Sequence, residues 1–87
     1  MKPEILNQNL KEIFEKLDID ITEQNLRISR IKVKSGFCRV KDKNLFVLEK
    51  SLSVHKKNRI MASFLSKKPH EGIYIVPGVR EYIEKFT

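Results

Sequence analysis

Apolar residues along the start of the chain recur at helical spacing: Leu6, Leu10, Ile13 and Leu17, with Phe14 beside them. Intervals of four, three and four residues return to one side of an α-helix, so this segment reads as an amphipathic helix. Lys11, Glu12, Glu15 and Lys16 form its wet side. Pro3 suits the first turn, where an amide proton has no partner to lose, and Glu4 favours the positive end of the helix dipole. Residues 18–22 end the helix, with Leu17, Ile19 and Ile21 alternating briefly.

From residue 30 the period changes to two. Ile31 and Val33 alternate with Arg30, Lys32 and Lys34, and beyond Ser35-Gly36 the residues Cys38 and Val40 alternate with Phe37, Arg39 and Lys41. If Ser35-Gly36 is a two-residue hairpin loop, Val33 opposes Cys38, Lys32 opposes Arg39 and Arg30 opposes Lys41. One face then carries Ile31, Val33, Cys38 and Val40, and the other carries five cations and Phe37. A slip of one residue would mix the two sets, so pattern and turn agree.

Residues 41–44, Lys-Asp-Lys-Asn, form a second turn into Leu45-Phe46-Val47-Leu48, a strand apolar on both sides and therefore interior or covered. Ser51 or Ser53 caps a helix that places Val54, Met61, Phe64 and Leu65 on one side, with Ile60 adjoining, and Lys67-Lys68-Pro69 stops it. Residues 72–76, Gly-Ile-Tyr-Ile-Val, read as a short buried strand. Pro77 opens a last helix with Val79, Tyr82, Ile83 and Phe86 on one face. The expected order is α-β-β-β-α-β-α: an α+β fold with a mostly antiparallel sheet and helices packed chiefly on one face.

Eighty-seven residues make one domain, spanning 1–87. A chain of that length buries only about 60–65% of the surface exposed when unfolded, so dimerisation is a natural supplement. A single cysteine excludes an internal disulfide framework and fits a reducing, cytoplasmic setting. The N-terminal residues run into an amphipathic pattern rather than a signal peptide, and no apolar run is long enough to span a membrane.

Charge adds a location. The net charge is +7, yet residues 25–70 alone hold thirteen Lys and Arg against Asp42 and Glu49, while both flanks are net acidic. That clustering points to an anionic partner more than to uniform solubilising charge. Lysine outnumbers arginine thirteen to five, so compositional bias accounts for part of the total but less well for its position.

Catalytic chemistry lacks its parts. The predicted register turns Cys38 toward apolar neighbours, where a thiol is an inert small hydrophobe, and no spacing brings His55 or His70 near it. His70-Glu71 begins like the helical zinc motif H-E-x-x-H, but Tyr74 stands where its second histidine belongs. Asp18 and Asp20 read as a solvated helix exit, and the three glycines are too dispersed for a phosphate loop. No cofactor and no metal are expected, and the chain reads as a binding module more than an enzyme, the catalytic alternative being a site built at a dimer interface.

The remaining signal is the basic face. Like charges directly opposite each other destabilise a sheet, and the expected register makes two such pairs, Lys32 with Arg39 and Arg30 with Lys41. A polyanion across the strands would relieve that repulsion, and Phe37 would offer bases a surface to stack on. The expected nucleic-acid surface is Arg30, Lys32, Lys34, Phe37, Arg39 and Lys41, extended by Lys56, Lys57 and Arg59 at the start of the second helix. RNA fits better than DNA. The alternative is a protein–protein or self-association module, including a homodimer, in which the lysines only protect exposed strands.

Gly36-Phe37-Cys38-Arg39-Val40, followed by Gly72-Ile73-Tyr74, Pro77 and Val79-Arg80-Glu81, resembles a pattern in small bacterial proteins of unknown function. The resemblance implies no activity, cofactor or substrate.

Overall fold

The computed structural model describes residues 1–25, 36–68 and 72–86. The chain begins with α1 (Pro3–Lys16), followed by β1 (Ile19–Gln24), β2 (Gly36–Val40), β3 (Lys43–Glu49), α2 (Val54–Ser66) and α3 (Pro77–Glu84). It is an α+β fold with three helices and a three-stranded sheet among the described residues.

The first helix forms where the spacing places it, with Pro3 in its first turn and Leu10, Ile13 and Phe14 buried. Asp18 stops it by turning left-handed, at φ 63°. An aspartate tolerates that conformation better than most residues because its short side chain bonds locally. The chain then enters β1 directly. The brief alternation at Ile19 and Ile21 is therefore a strand rather than only a helix exit.

β3 is central, in the order β1-β3-β2. Its flanks differ in sense: β1 runs parallel to it, from Ile19 beside Asn44 to Gln24 beside Glu49, whereas β2 is antiparallel, from Gly36 beside Val47 to Val40 beside Lys43. The sheet is therefore mixed, not mostly antiparallel. The parallel ladder joins strands that are not consecutive in the chain, since β2 lies between β1 and β3 in sequence. The expectation that residues 45–48 are covered on both sides holds, since Phe46, Val47 and Leu48 are all buried.

These registers assign the faces. Ile19, Ile21, Phe46 and Leu48 share one side of the sheet and join the core with Leu10, Ile13 and Phe14 of α1, Met61, Ala62 and Leu65 of α2, and Val79 and Ile83 of α3. The helices thus cover that face. The β2–β3 hairpin turns at Lys41 and Asp42, both left-handed at φ 48° and 68°. Paired left-handed residues match the twist of the flanking strands, although asparagine and glycine adopt them at lower cost.

Three expectations need correction or fall elsewhere. The expected strand at 30–34 and its pairing with residues 37–41 lie outside the described residues, as does Ser35 of the expected loop. Gly36 itself is a strand residue, paired with Val47. Residues 72–76 form no strand: Ile75 is buried and Ile73 packs on the core, while Tyr74 and Val76 are exposed. Such alternation is what a strand would show. Here the segment lies against α1, where Lys16 Nζ donates to the Tyr74 carbonyl at 3.5 Å, and a helix surface offers no ladder of backbone partners.

Of the two serines proposed as caps, Ser53 is the one used, accepting from the Lys56 amide at 3.3 Å. Ser51 instead donates its hydroxyl to Glu49 Oε1 at 3.0 Å. Asn58, a polar residue that hydrophobic patterning passes over, is buried between helices. It donates to the Pro3 carbonyl and accepts from Asn7, both at 3.0 Å, so α1 and α2 are joined by a paired amide.

Replacing the turn by Lys41→Asn with Asp42→Gly should raise stability by about 1 kcal/mol, because both residues then suit positive φ. In thermal unfolding this is a rise of roughly 4–8 °C. An unchanged or lower midpoint contradicts the assigned turn.

Candidate nucleic-acid interface

Alternation along β2 separates the two residue sets the sequence suggested, but their facing is the reverse of that expected. Phe37 pairs with Phe46 and Arg39 with Asn44, which puts both on the helix-covered side. Cys38 pairs with Leu45 and Val40 with Lys43, on the opposite side. Cys38 is half-buried there, while Val40 is 51% exposed. The aromatic residue decides the facing. Phe37 stacks on Phe64 of α2 at 5.3 Å between ring centres, and Phe64 also stacks on Phe14 at 5.5 Å and tilts against Phe46 at 5.0 Å. The smaller side chains at 38 and 40 would not reach across the space that the Phe37 ring fills.

Phe37 terminates this aromatic row and stays 39% exposed. Lys68, just past α2, holds its ammonium 5.0 Å from the Phe37 ring centre and 5.5 Å from that of Phe64. A cation over ring faces is held by the quadrupole of the π-system. Sequence reasoning missed Lys68, although a spacing signal exists: it follows Phe64 by four residues, in the turn that leaves the end of α2.

The expected basic set is divided by the fold. Arg30, Lys32 and Lys34 lie outside the described residues. Arg39 is well exposed on the strand and forms an open ion pair with Asp42, whose Oδ1 is 3.9 Å away and whose side chain is still more exposed. Lys41 sits in the hairpin turn and not on the strand ladder, and its expected partner Arg30 lies outside the described residues. Lys57 is withdrawn from solvent: its ammonium is 3.2 Å from Glu23 Oε1, and Lys11 approaches the same oxygen at 3.6 Å. Lys56 and Arg59 flank a separate hollow with Leu52, Ile60, Ser63 and Phe86. What the structure brings together is therefore Phe37, Phe64, Lys68 and Arg39 along β2, the outer strand among the described residues, with Lys41 at the end of the same hairpin.

The Glu23 link joins α1, β1 and α2 through one carboxylate. Burial alone would raise its pKa, but the hydrogen bond from Lys57 and the charges of Lys11 and Lys57 outweigh this and hold it below the ordinary glutamate value.

Elsewhere, Asp18, Asp20 and Asp42 gather with Lys43 and Asn44 around a hollow at one end of the sheet. No group of three or more His, Cys, Asp or Glu among the described residues is arranged to hold a metal. No helix among them is long and apolar enough to cross a membrane. His55 lines a different hollow, with Asn58, Glu81 and Tyr82. Cys38 is placed with Leu45 and not with that histidine.

No family model matches this chain, and no curated protein or solved structure is significantly similar to it. Its own geometry is what bears on its function.

Phe37→Ala should cost only about 1 kcal/mol, the value of an aromatic contact at the edge of a row, whereas Phe46→Ala should cost about 3–5 kcal/mol by opening the core. Equal destabilisation in denaturant unfolding would show that Phe37 is a core residue and no surface.

Glu23→Gln should cost on the order of 0.5–1 kcal/mol near neutral pH. Because the folded pKa of Glu23 is depressed, its contribution is present above the unfolded pKa and disappears as pH falls through the lower, folded pKa. The stability difference between parent and variant should therefore close in mild acid. A constant difference across that range contradicts the assignment.

Proposed function

We propose that this protein is a non-catalytic binding module for nucleic acid, RNA in preference to DNA, and that the edge around Phe37 is its contact surface. The observation that carries this reading is the half-open Phe37 ring flanked by the Lys68 ammonium and standing on the same strand as Arg39. A base requires a ring face and a nearby positive charge for its phosphate, and a single strand supplies unstacked bases to such a surface. The location of Phe37 within the basic 25–70 block adds long-range attraction for a polyanion.

This reading moves the proposed surface from the open sheet face to β2, the outer strand among the described residues. Phe37, Arg39 and Lys41 are retained and Lys68 is added. Lys57 is removed, because its charge is engaged by Glu23. Lys56 and Arg59 belong to another part of the surface.

Self-association is the second reading, favoured by Tyr74 and Val76, which stand 75% and 39% exposed alongside α1. It places the contact at a different face and leaves the Phe37 edge unused.

Retention of a mixed-sequence single-stranded oligonucleotide at two salt concentrations tests the first reading. Binding should weaken with salt. Arg39→Glu with Lys68→Glu should weaken it further while lowering the log–log salt slope by about 0.7 for each phosphate no longer neutralised. Phe37→Ala should weaken it by about 1–3 kcal/mol with the slope unchanged, since stacking releases no counterions. Retention that is insensitive to salt and to these three changes contradicts the reading. Concentration-dependent light scattering would then favour self-association.

A further inference from the structure

Lys56 and Arg59 bracket a hollow of about 550 Å³ on the outer side of α2. Its apolar lining comes from Leu52, Ile60 and Phe86, each half-buried, with Ser63 between them. Leu52 takes no part in the main core cluster, so its exposed surface is not a margin of that core. Neither cation has a carboxylate partner among the described residues, in contrast to Lys57, whose ammonium is held by Glu23. The first turn of α2 also carries no acidic residue. The result is an aliphatic and aromatic floor with uncompensated positive charge on its rim.

The floor argues against a nucleic acid here. Base stacking needs an available ring face, and the one aromatic present, Phe86, is engaged by the ring of Tyr82 at 5.4 Å and by core side chains. Leucine and isoleucine instead match the branched aliphatic side chains of a peptide. Two cations three residues apart on one helix match carboxylates repeated at helical spacing. We propose that this groove docks an acidic amphipathic helix of a partner protein, with the partner's apolar stripe on Leu52, Ile60 and Phe86 and its Asp or Glu side chains against Lys56 and Arg59. This docking is independent of the oligonucleotide surface around Phe37, and each stands or falls alone.

Fluorescence anisotropy tests it with a labelled synthetic peptide of roughly four helical turns, bearing leucine every three or four positions and glutamate along one flank. The full chain should bind this peptide and not the same peptide with lysine in place of glutamate. Lys56→Glu with Arg59→Glu should weaken binding about tenfold or more and admit the lysine peptide instead, a rescue that a misfolded variant cannot give. Leu52→Ser should also weaken binding, with circular dichroism and oligonucleotide retention unchanged. The proposal is overturned if the glutamate peptide fails to bind or binds the charge-reversed variant equally well. It is also overturned if Lys56→Glu with Arg59→Glu abolishes binding of the oligonucleotide, or of phosphatidylserine vesicles, while peptide binding is unaffected.

Discussion

The register of the β2–β3 hairpin decides which side chains meet the helices. Its turn occupies Lys41 and Asp42, so Phe37 falls opposite Phe46 and Arg39 opposite Asn44. Because strand side chains alternate, displacement by one residue would exchange Phe37 for Cys38 across the whole sheet. The rings of Phe14, Phe46 and Phe64 form a surface that only another large side chain at that position extends. Turn geometry and aromatic packing therefore select the same register, and the proposed binding edge is a consequence of that agreement.

Around this constraint the small core is assembled from all three helices. Phe14 brings α1 onto β3, Phe64 brings α2 onto both antiparallel strands, and Val79 and Ile83 close the cluster from α3. Two polar links then fix the helices relative to each other: Asn58 beneath the start of α1, and Glu23 between Lys11 and Lys57. Each consumes a polar residue that the sequence offered to solvent or to a ligand. For Lys57 this is decisive, since a cation both held by a carboxylate and withdrawn from solvent contributes little to attracting a polyanion, whereas Arg39 stays open beside Asp42.

The helices were legible in the sequence because a 3.6-residue period is a property of the segment itself. Leu6 to Leu17, Met61 to Leu65 and Val79 to Ile83 all face where their spacing directs. Doubly apolar β3 was legible for a related reason, as only a central strand buries both sides. Strand identity elsewhere depended on partners. Ile19 and Ile21 become a strand because β3 is beside them, whereas Ile73 and Ile75 alternate equally well and join no ladder, having α1 as neighbour. The facing of Cys38 and Phe37 was misjudged because both sides of β2 carry an apolar residue, and alternation alone does not say which side the helices cover. Of the candidate site, Phe37, Arg39 and Lys41 were visible as a local cluster. Lys68 required knowing that Phe64 lies over Phe37, a contact between segments far apart in sequence.

The most direct test of the account is the proton nuclear Overhauser pattern of the Phe37 ring. The rings of Phe37 and Phe64 are stacked with centres 5.3 Å apart, so strong ring-to-ring cross-peaks are predicted, with Cys38 β-protons instead contacting the Leu45 side chain. Cross-peaks from Cys38 to Phe64, with Phe37 showing none, would mean that the hairpin is in the opposite register and that the binding edge proposed for this protein does not exist.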